Sequence, residues 1–191
     1  SSATFNESED ISLRFNKKVD GIPYDGKYIF SEMGYNFLPS EISAAFALEQ
    51  LKKLKQNINT RVKNFNKIYD YFRKYENLFI LPNEYKGLKT GWLAFPLIIR
   101  NQNNLVRKNL QIFLEKNGIQ TRTIFTGNIL RQPIMKSKKY KKCKEASVNS
   151  DNVMKNGLLI GCHHGLTNKD INYMLSKFDR FFVKFKFQSL K

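Results

Sequence analysis

Asn128 and Arg131, three positions apart and followed by Gln132 and Pro133, are the residues of this chain best equipped to hold an anion. A guanidinium presents a planar fork of N–H donors that matches phosphate or carboxylate, and a carboxamide both donates and accepts. Gly127 ahead breaks regular structure and Pro133 behind fixes the backbone, so the segment is a loop suited to an anionic, hydroxyl-rich ligand. The same spacing also describes a surface turn whose arginine is merely solvated, and local pattern leaves both open. His163 and His164 are the two histidines of the chain. Each can carry a proton near neutral pH, but neighbours in an extended segment project in different directions, which makes them a poor metal pair without ligands from elsewhere. A satisfied or solvent-exposed turn histidine is the competing assignment. Asn36 lies just before an expected helix start, where backbone N–H groups favour anions, although an asparagine there also serves as an ordinary turn residue.

Other chemistries find less support. Cys143 and Cys162 are the two cysteines, and neither sits in a Cys-x-x-Cys motif. No disulfide framework or metal site is implied, and a reduced, cytoplasmic setting is expected. The net charge of +17 invites a polyanion, yet the lysines are spread along the chain and only residues 136–144 form a dense basic block. Tyr140 alone breaks that block and no repeated aromatic-interleaved basic motif appears, so specific nucleic-acid binding is not expected. No apolar run is long enough to cross a bilayer, and no signal peptide is visible. The first residue is Ser rather than Met, which is compatible with processing or with a fragment.

The elements that must position these residues follow from periodicity. With 191 residues, 41% of them hydrophobic, the chain can bury a core as one domain with a trailing arm. Residues 1–38 read as an irregular arm punctuated by Gly21, Pro23 and Gly26. Pro39 disfavours helix before it, Ser40 is a good N-cap and Glu41 places negative charge in the first turn, so a helix starts there. Ile42, Ala45, Leu48, Leu51, Leu54, Ile58, Val62, Phe65 and Tyr69 then recur at three- and four-residue steps and trace one apolar face as far as about residue 72. Such a long helix suits either a bridge between units or subunits, or an ordinary core helix. Residues 92–100 read as a strand, with Pro96 arguing for an edge or a bulge. A helix follows, its buried face made by Leu105, Leu110, Phe113 and Leu114 and its end set by Gly118. Alternation from Ile119 to Phe125 predicts a strand running into the Gly127 loop. Residues 146–156 predict a short helix, 158–160 a short strand and 161–166 a turn. Thr167 with Asp170 resembles a capping box, and Ile171, Met174, Leu175, Phe178, Phe181 and Phe182 stripe a last helix.

Taken in order, Gly34-Tyr35-Asn36, Ser40-Glu41-Ile42-Ser43-Ala44-Ala45, Gly118-Ile119-Gln120-Thr121-Arg122, Gly127-Asn128-Ile129-Leu130-Arg131-Gln132-Pro133 and Gly165-Leu166-Thr167 resemble the C-terminal half of the DegT-type, pyridoxal-phosphate-dependent sugar aminotransferases. The resemblance runs from about residue 14 to 185. Within that family the Gly-Asn-x-x-Arg-Gln-Pro run is most similar to the nucleotide-sugar 3-dehydratase branch, including the CDP-4-keto-6-deoxyglucose 3-dehydratases of lipopolysaccharide deoxysugar synthesis. The resemblance implies an α/β architecture: the small C-terminal domain of a fold type I enzyme, a long helix leading into a small sheet flanked by helices over residues 39–191, with 1–38 as the arm from the end of a large domain. It implies pyridoxal or pyridoxamine phosphate as cofactor, a nucleotide-sugar substrate and a homodimer. Asn36 would reach the cofactor phosphate, while Gly127, Asn128, Arg131, His163 and His164 would line the substrate pocket.

Three departures qualify the match. The cofactor-anchoring lysine, or the histidine that replaces it in the dehydratase branch, precedes the matched part, so no catalytic residue is expected in this chain, and alone it is expected to be inactive. Leu38 stands where many family members carry a basic residue, and cysteines for an iron-sulfur cluster are missing near Ser12, which leaves that cluster unsupported. C3 dehydration is the expected reaction, a nucleotide-sugar 4-aminotransferase the alternative within the family, and a non-catalytic anion- or nucleic-acid-binding module the alternative outside it.

Overall fold

In the computed structural model the described residues are 16–25, 28–29, 35, 37, 39–100, 105–141 and 146–186, with only the backbone of Ala146. Asn36, Gly34, Leu38 and Cys143 lie outside them. The chain divides into two compact units, Ser1–Lys52 and Lys53–Lys191.

In the first unit the expected irregular arm contains a hairpin. Strands β1 (Lys17–Val19) and β2 (Ile22–Tyr24) pair antiparallel, Lys17 opposite Tyr24. Asp20 and Gly21 link them with φ of 49° and 82°, the pair of left-handed conformations that a two-residue Asp-Gly turn uses to match strand twist. Helix α1 (Glu41–Arg73) starts where Pro39, Ser40 and Glu41 predict, with the Ala44 N–H bonded to the Ser40 carbonyl at 3.0 Å.

The apolar face of α1 divides along its length. Ile42, Phe46, Leu48 and Leu51 are exposed, Ile42 at 84%, whereas burial begins with Asn64, Phe65, Ile68 and Phe72. The continuous stripe read from the sequence is therefore core only in its last three turns.

In the second unit β3 (Phe79–Ile80), β4 (Ala94–Ile99), β6 (Gly157–Gly161) and β5 (Thr121–Arg122) form an antiparallel sheet in that spatial order. Helix α2 (Arg107–Lys116) joins β4 to β5, α3 (Ala146–Asn156) precedes β6, and α4 (Asn168–Lys184) ends the unit. Alternation along β4 buries Phe95, Leu97 and Ile99, and along β6 Leu158 and Ile160; Ala94, Pro96, Ile98 and Leu159 face the other way, half-buried. Against the buried face lie α1 and α4. Phe72 sits at the centre, its ring centroid 4.9 Å from Phe178, 5.4 Å from Phe79 and 5.8 Å from Phe95. Each fully buried aromatic contributes about 1.5–3 kcal/mol by removal from water, with geometry-dependent pair attraction of about 0.5–1.5 kcal/mol on top. All six residues of the predicted stripe on α4 are buried, and Thr167 and Asp170 form the reciprocal capping box. Tyr71 of α1 and Tyr75, in the turn just after it, both donate their hydroxyls to Asp179 of α4, at 2.7 and 3.2 Å.

Three details differ from the sequence reading. The strand expected from 119 to 125 contracts to two residues: its outer side at Thr121 is held by N–H and hydroxyl bonds to the Glu115 carboxylate, and beyond Arg122 the chain leaves the ladder and Phe125 turns to a φ of 45°. Pro96 sits in an interior strand rather than an edge one. It is tolerated because β3 pairs only with Ile98 and Ile99, so at Pro96 the strand has a ladder neighbour on the β6 side alone. Strand β3 itself, two residues long, has too little pattern to be read.

Candidate functional site

The loop after β5 is held from beneath. Gly127 adopts a φ of +64°, and a Cβ there would come within 2.5 Å of the Met154 side chain, so only glycine lets the loop lie on α3. The Gly127 N–H closes a turn on the Ile124 carbonyl at 3.0 Å, and the Gln132 amide donates to the Thr126 carbonyl at 3.0 Å. Asn128 is 4% exposed. Its Oδ1 accepts the Leu130 N–H at 3.0 Å, capping the 3-10 turn Ile129–Arg131, and its Nδ2 donates to Asp151 of α3 at 2.7 Å. A second 3-10 turn, Pro133–Ser137, begins at the proline as expected of a residue whose missing N–H is not needed there.

Arg131 meets the same acid. Its Nε donates to Asp151 Oδ1 and its Nη2 to Oδ2, each at 2.5 Å. The hydrogen bonds and then the charge of Asp151 raise the guanidinium pKa further above its ordinary value. One carboxylate thus orients both polar residues of the loop. The arginine is not a freely solvated turn residue: one edge of its fork is fixed, and the side chain stays 62% exposed. Such a held guanidinium presents its remaining N–H donors in a set direction.

The two histidines part company. His163 Nδ1 accepts the Gly165 N–H at 3.2 Å, which leaves the proton of a neutral ring on Nε2. His164 turns to α1, with Nδ1 3.4 Å from Arg61 Nη2. Buried Asn64 of α1 ties their turn down, its Nδ2 donating to the His163 carbonyl at 3.0 Å and the Leu166 carbonyl at 3.3 Å. Beside His163 opens a cavity of about 510 Å³ whose lining includes Arg122 but none of Gly127, Asn128, Arg131 or His164. The structure therefore brings Gly127, Asn128 and Arg131 together and sets His163 in a separate pocket.

Sequence reasoning missed two participants. Asp151 lies twenty residues from Arg131, in a helix whose position relative to the loop no local pattern reveals. Arg122 stood in a quoted motif, but its outward orientation depends on the register of β5 against β6. Among the described residues, no cluster of three or more His, Cys, Asp or Glu can hold a metal ion, and no helix is long and apolar enough to cross a membrane.

Residues 6–179 match the DegT/DnrJ/EryC1/StrS aminotransferase family. Over 171 residues the chain is 32% identical to the lipopolysaccharide biosynthesis protein RfbH of Salmonella typhimurium, an alignment covering 88% of this chain and 39% of that protein. It is 31% identical over 173 residues to the dTDP-4-dehydro-2,6-dideoxy-D-glucose 3-dehydratase of Saccharopolyspora spinosa, covering 90% of this chain and 37% of that protein. The solved structure of Escherichia coli GDP-4-keto-6-deoxy-D-mannose-3-dehydratase with bound hydrated PLP is similar at a TM-score of 0.70 and 32% identity, over 78% of this chain and 38% of that one. The chain spans about two fifths of the length of the relatives it matches.

Proposed function

The chain belongs to the DegT/DnrJ/EryC1/StrS aminotransferase family, and on that premise we propose that it works as the C-terminal part of a pyridoxal-phosphate-dependent enzyme that removes the C3 hydroxyl of a 4-keto-6-deoxy nucleotide sugar, in the synthesis of lipopolysaccharide deoxysugars. The observation that carries this reading is the Asn128–Asp151–Arg131 arrangement. A half-buried acid and a buried amide fix an outward guanidinium on a loop, which is the chemistry needed to hold a diphosphate while the sugar is positioned. The names of the relatives, two of them nucleotide-sugar 3-dehydratases, support dehydration over transamination.

Pyridoxal phosphate, when bound, supplies an electron sink that lets a proton leave beside the keto carbon and the C3 hydroxyl depart. The described residues are not assigned its seat: the cavity beside His163 has no lysine in its lining, and Asn36, the residue assigned to the cofactor phosphate, lies outside the described residues. The part played by this chain is to bind and orient. Arg131 pairs with the diphosphate, Asn128 keeps the loop in register, and Gly127 lets it approach closely. The exposed apolar residues on the first half of α1 support a homodimer, in which such a stripe is covered. The buried, unpaired thiol of Cys162 supports a cytoplasmic setting.

The test is product analysis with the longer polypeptide that carries this chain, supplied with pyridoxal phosphate, L-glutamate and 4-keto-6-deoxy sugars on GDP, CDP and dTDP. Replacement of the C3 hydroxyl by hydrogen, giving a 4-keto-3,6-dideoxy sugar with L-glutamate consumed as the source of the two electrons, bears the proposal out. An amino sugar as product moves the assignment to a 4-aminotransferase, and no turnover of any sugar by cofactor-loaded enzyme overturns it.

A further inference from the structure

We propose that the cavity between the start of β5 and the head of α4 is a second ligand site, a subsite for a carboxylate carried on a short aliphatic chain, with Arg122 and His163 as its donors. It is separate from the Arg131 loop and does not depend on which sugar the enzyme takes.

The sheet register builds its floor. Thr121 of β5 is buried and Arg122 faces the opposite side, directly across from Leu159. Gly161 follows two residues on with the same facing, and Ala94 lies opposite it. Small residues at both positions leave the floor low. A Cβ placed on Gly161 would sit 3.6 Å from His163 Cδ2 and 3.9 Å from its Nε2, and 3.5 Å from Leu166 Cδ1, so the imidazole edge and the leucine stand directly around the space that a side chain would fill. Because His163 Nδ1 is occupied by the Gly165 N–H, Nε2 is the ring nitrogen that carries a donor hydrogen on this side. Among the described residues no hydrogen bond or ion pair fixes the Arg122 guanidinium, although Glu115 acts on it at a distance. A planar fork and one further N–H donor suit a carboxylate. Met174 and Leu166 supply apolar wall beside them.

Charge selects among anions. Asp170 also borders the cavity, and Thr167 holds it ionised by donating both its N–H and its hydroxyl to Oδ2. With Asp170 at the cavity and Glu115 acting at a distance, Arg122 leaves little positive charge for a dianionic phosphate, and the singly charged carboxylate is the smaller demand on its fork. The volume of about 510 Å³ is that of a small-molecule site.

Ring resonances of the full chain test this, since it has only two histidines and a His164→Gln variant assigns the remaining signals to His163. The probes are butyrate, inorganic phosphate and butanol. Butyrate is expected to move the His163 signals saturably at about 1–10 mM, a fair affinity for so few atoms. Butanol, with the same chain and no charge, is expected to leave them in place. Arg122→Met is expected to weaken butyrate binding at least about tenfold, with Arg122→Gln behaving the same way should the first variant not fold. A shift linear in butyrate, or one retained in both variants, overturns the proposal. Phosphate binding more tightly than butyrate replaces the carboxylate by a phosphate-type anion and equally overturns it.

Discussion

The Asp151 carboxylate accepts both N–H donors on one edge of the Arg131 guanidinium, and its Oδ1 also takes the buried Asn128 amide. Removing the acid therefore does two things at once: it frees the arginine and strands a buried Nδ2–H. A buried donor left without a partner costs about 1–3 kcal/mol. Asp151→Ala is expected to lose roughly that much stability in urea unfolding, read as a lower midpoint with an unchanged slope. An unchanged midpoint would mean that water replaces the carboxylate at Asn128 and that the loop is not anchored through it.

Glycines in the same backbone region separate conformational strain from close packing. Gly118 and Gly127 both have positive φ, +74° and +64°, but a Cβ on Gly118 meets nothing within 4 Å, whereas one on Gly127 collides with Met154. Gly118→Ala is expected to cost about 1–2 kcal/mol, the left-handed penalty alone. Gly127→Ala adds overpacking of about 1–3 kcal/mol. Equal losses in the two variants, measured by thermal or urea unfolding, would show that the loop moves off α3 at little expense.

How much of this was legible in the sequence depends on the range of the forces involved. Thr167, Asp170 and the stripe from Ile171 to Phe182 were readable because capping and helical periodicity are local, and the start of α1 at Pro39-Ser40-Glu41 was readable for the same reason. The exposure of Ile42 to Leu51 was not, since a hydrophobic stripe says which face seeks cover and not what covers it. The strand after Ile119 is shorter than its alternation suggests, because alternation cannot foresee that the chain leaves the ladder after Arg122 and turns at Phe125. At the site, the residue types of the Gly127-Asn128-Arg131 loop were visible. Their common anchor Asp151, and the divergence of His163 from His164, come from tertiary packing.

Cys162 offers a chemical check on the core. It is fully buried, and burial pushes its thiol up to about 11, against a smaller lowering by the Arg61 charge. At pH 8 the native thiol is therefore both protonated and inaccessible. In a Cys143→Ser background, reaction with an aromatic disulfide reagent is expected to run at least about a thousandfold slower than in denaturant, as for a site that reacts only through opening. Fast labelling of the native chain would place Cys162 in a mobile part of the structure.

Acid should weaken the edge of the sheet before the core. Hydrogen bonds from the Thr121 N–H and hydroxyl hold Glu115 below its ordinary value, and those from Thr167 do the same for Asp170. A carboxyl depressed in the folded state adds stability above its unfolded pKa and loses it as pH falls through the folded one. Unfolding midpoints are expected to drop as pH falls below about 4.5, the ordinary glutamate value. Glu115→Gln should be less stable than the parent at pH 6, with the gap closing towards pH 3. A gap that stays constant over that range would remove the charge of Glu115 from the account.

The sharpest outcome concerns Arg131 in the longer enzyme. A guanidinium meeting a diphosphate makes charge-assisted bonds of about 1.5–3 kcal/mol, and each 1.4 kcal/mol is about one decade of affinity. Arg131→Ala is therefore expected to raise KM for the nucleotide sugar about tenfold to a hundredfold, with cofactor loading kept. Stability should change little, because the side chain is largely exposed and Asp151 retains its bond to Asn128. Arg131→Lys keeps the charge and loses the fork, so it should fall between the two. Asp151→Ala leaves the guanidinium charged but undirected, and a smaller rise in KM is expected alongside its loss of stability. These patterns distinguish holding the substrate from holding the loop: the first moves KM with the unfolding midpoint unchanged, the second moves both together. An unchanged KM for Arg131→Ala, assayed at low salt with saturating cofactor, would leave the arginine as a partner of Asp151 only and take the diphosphate away from this loop.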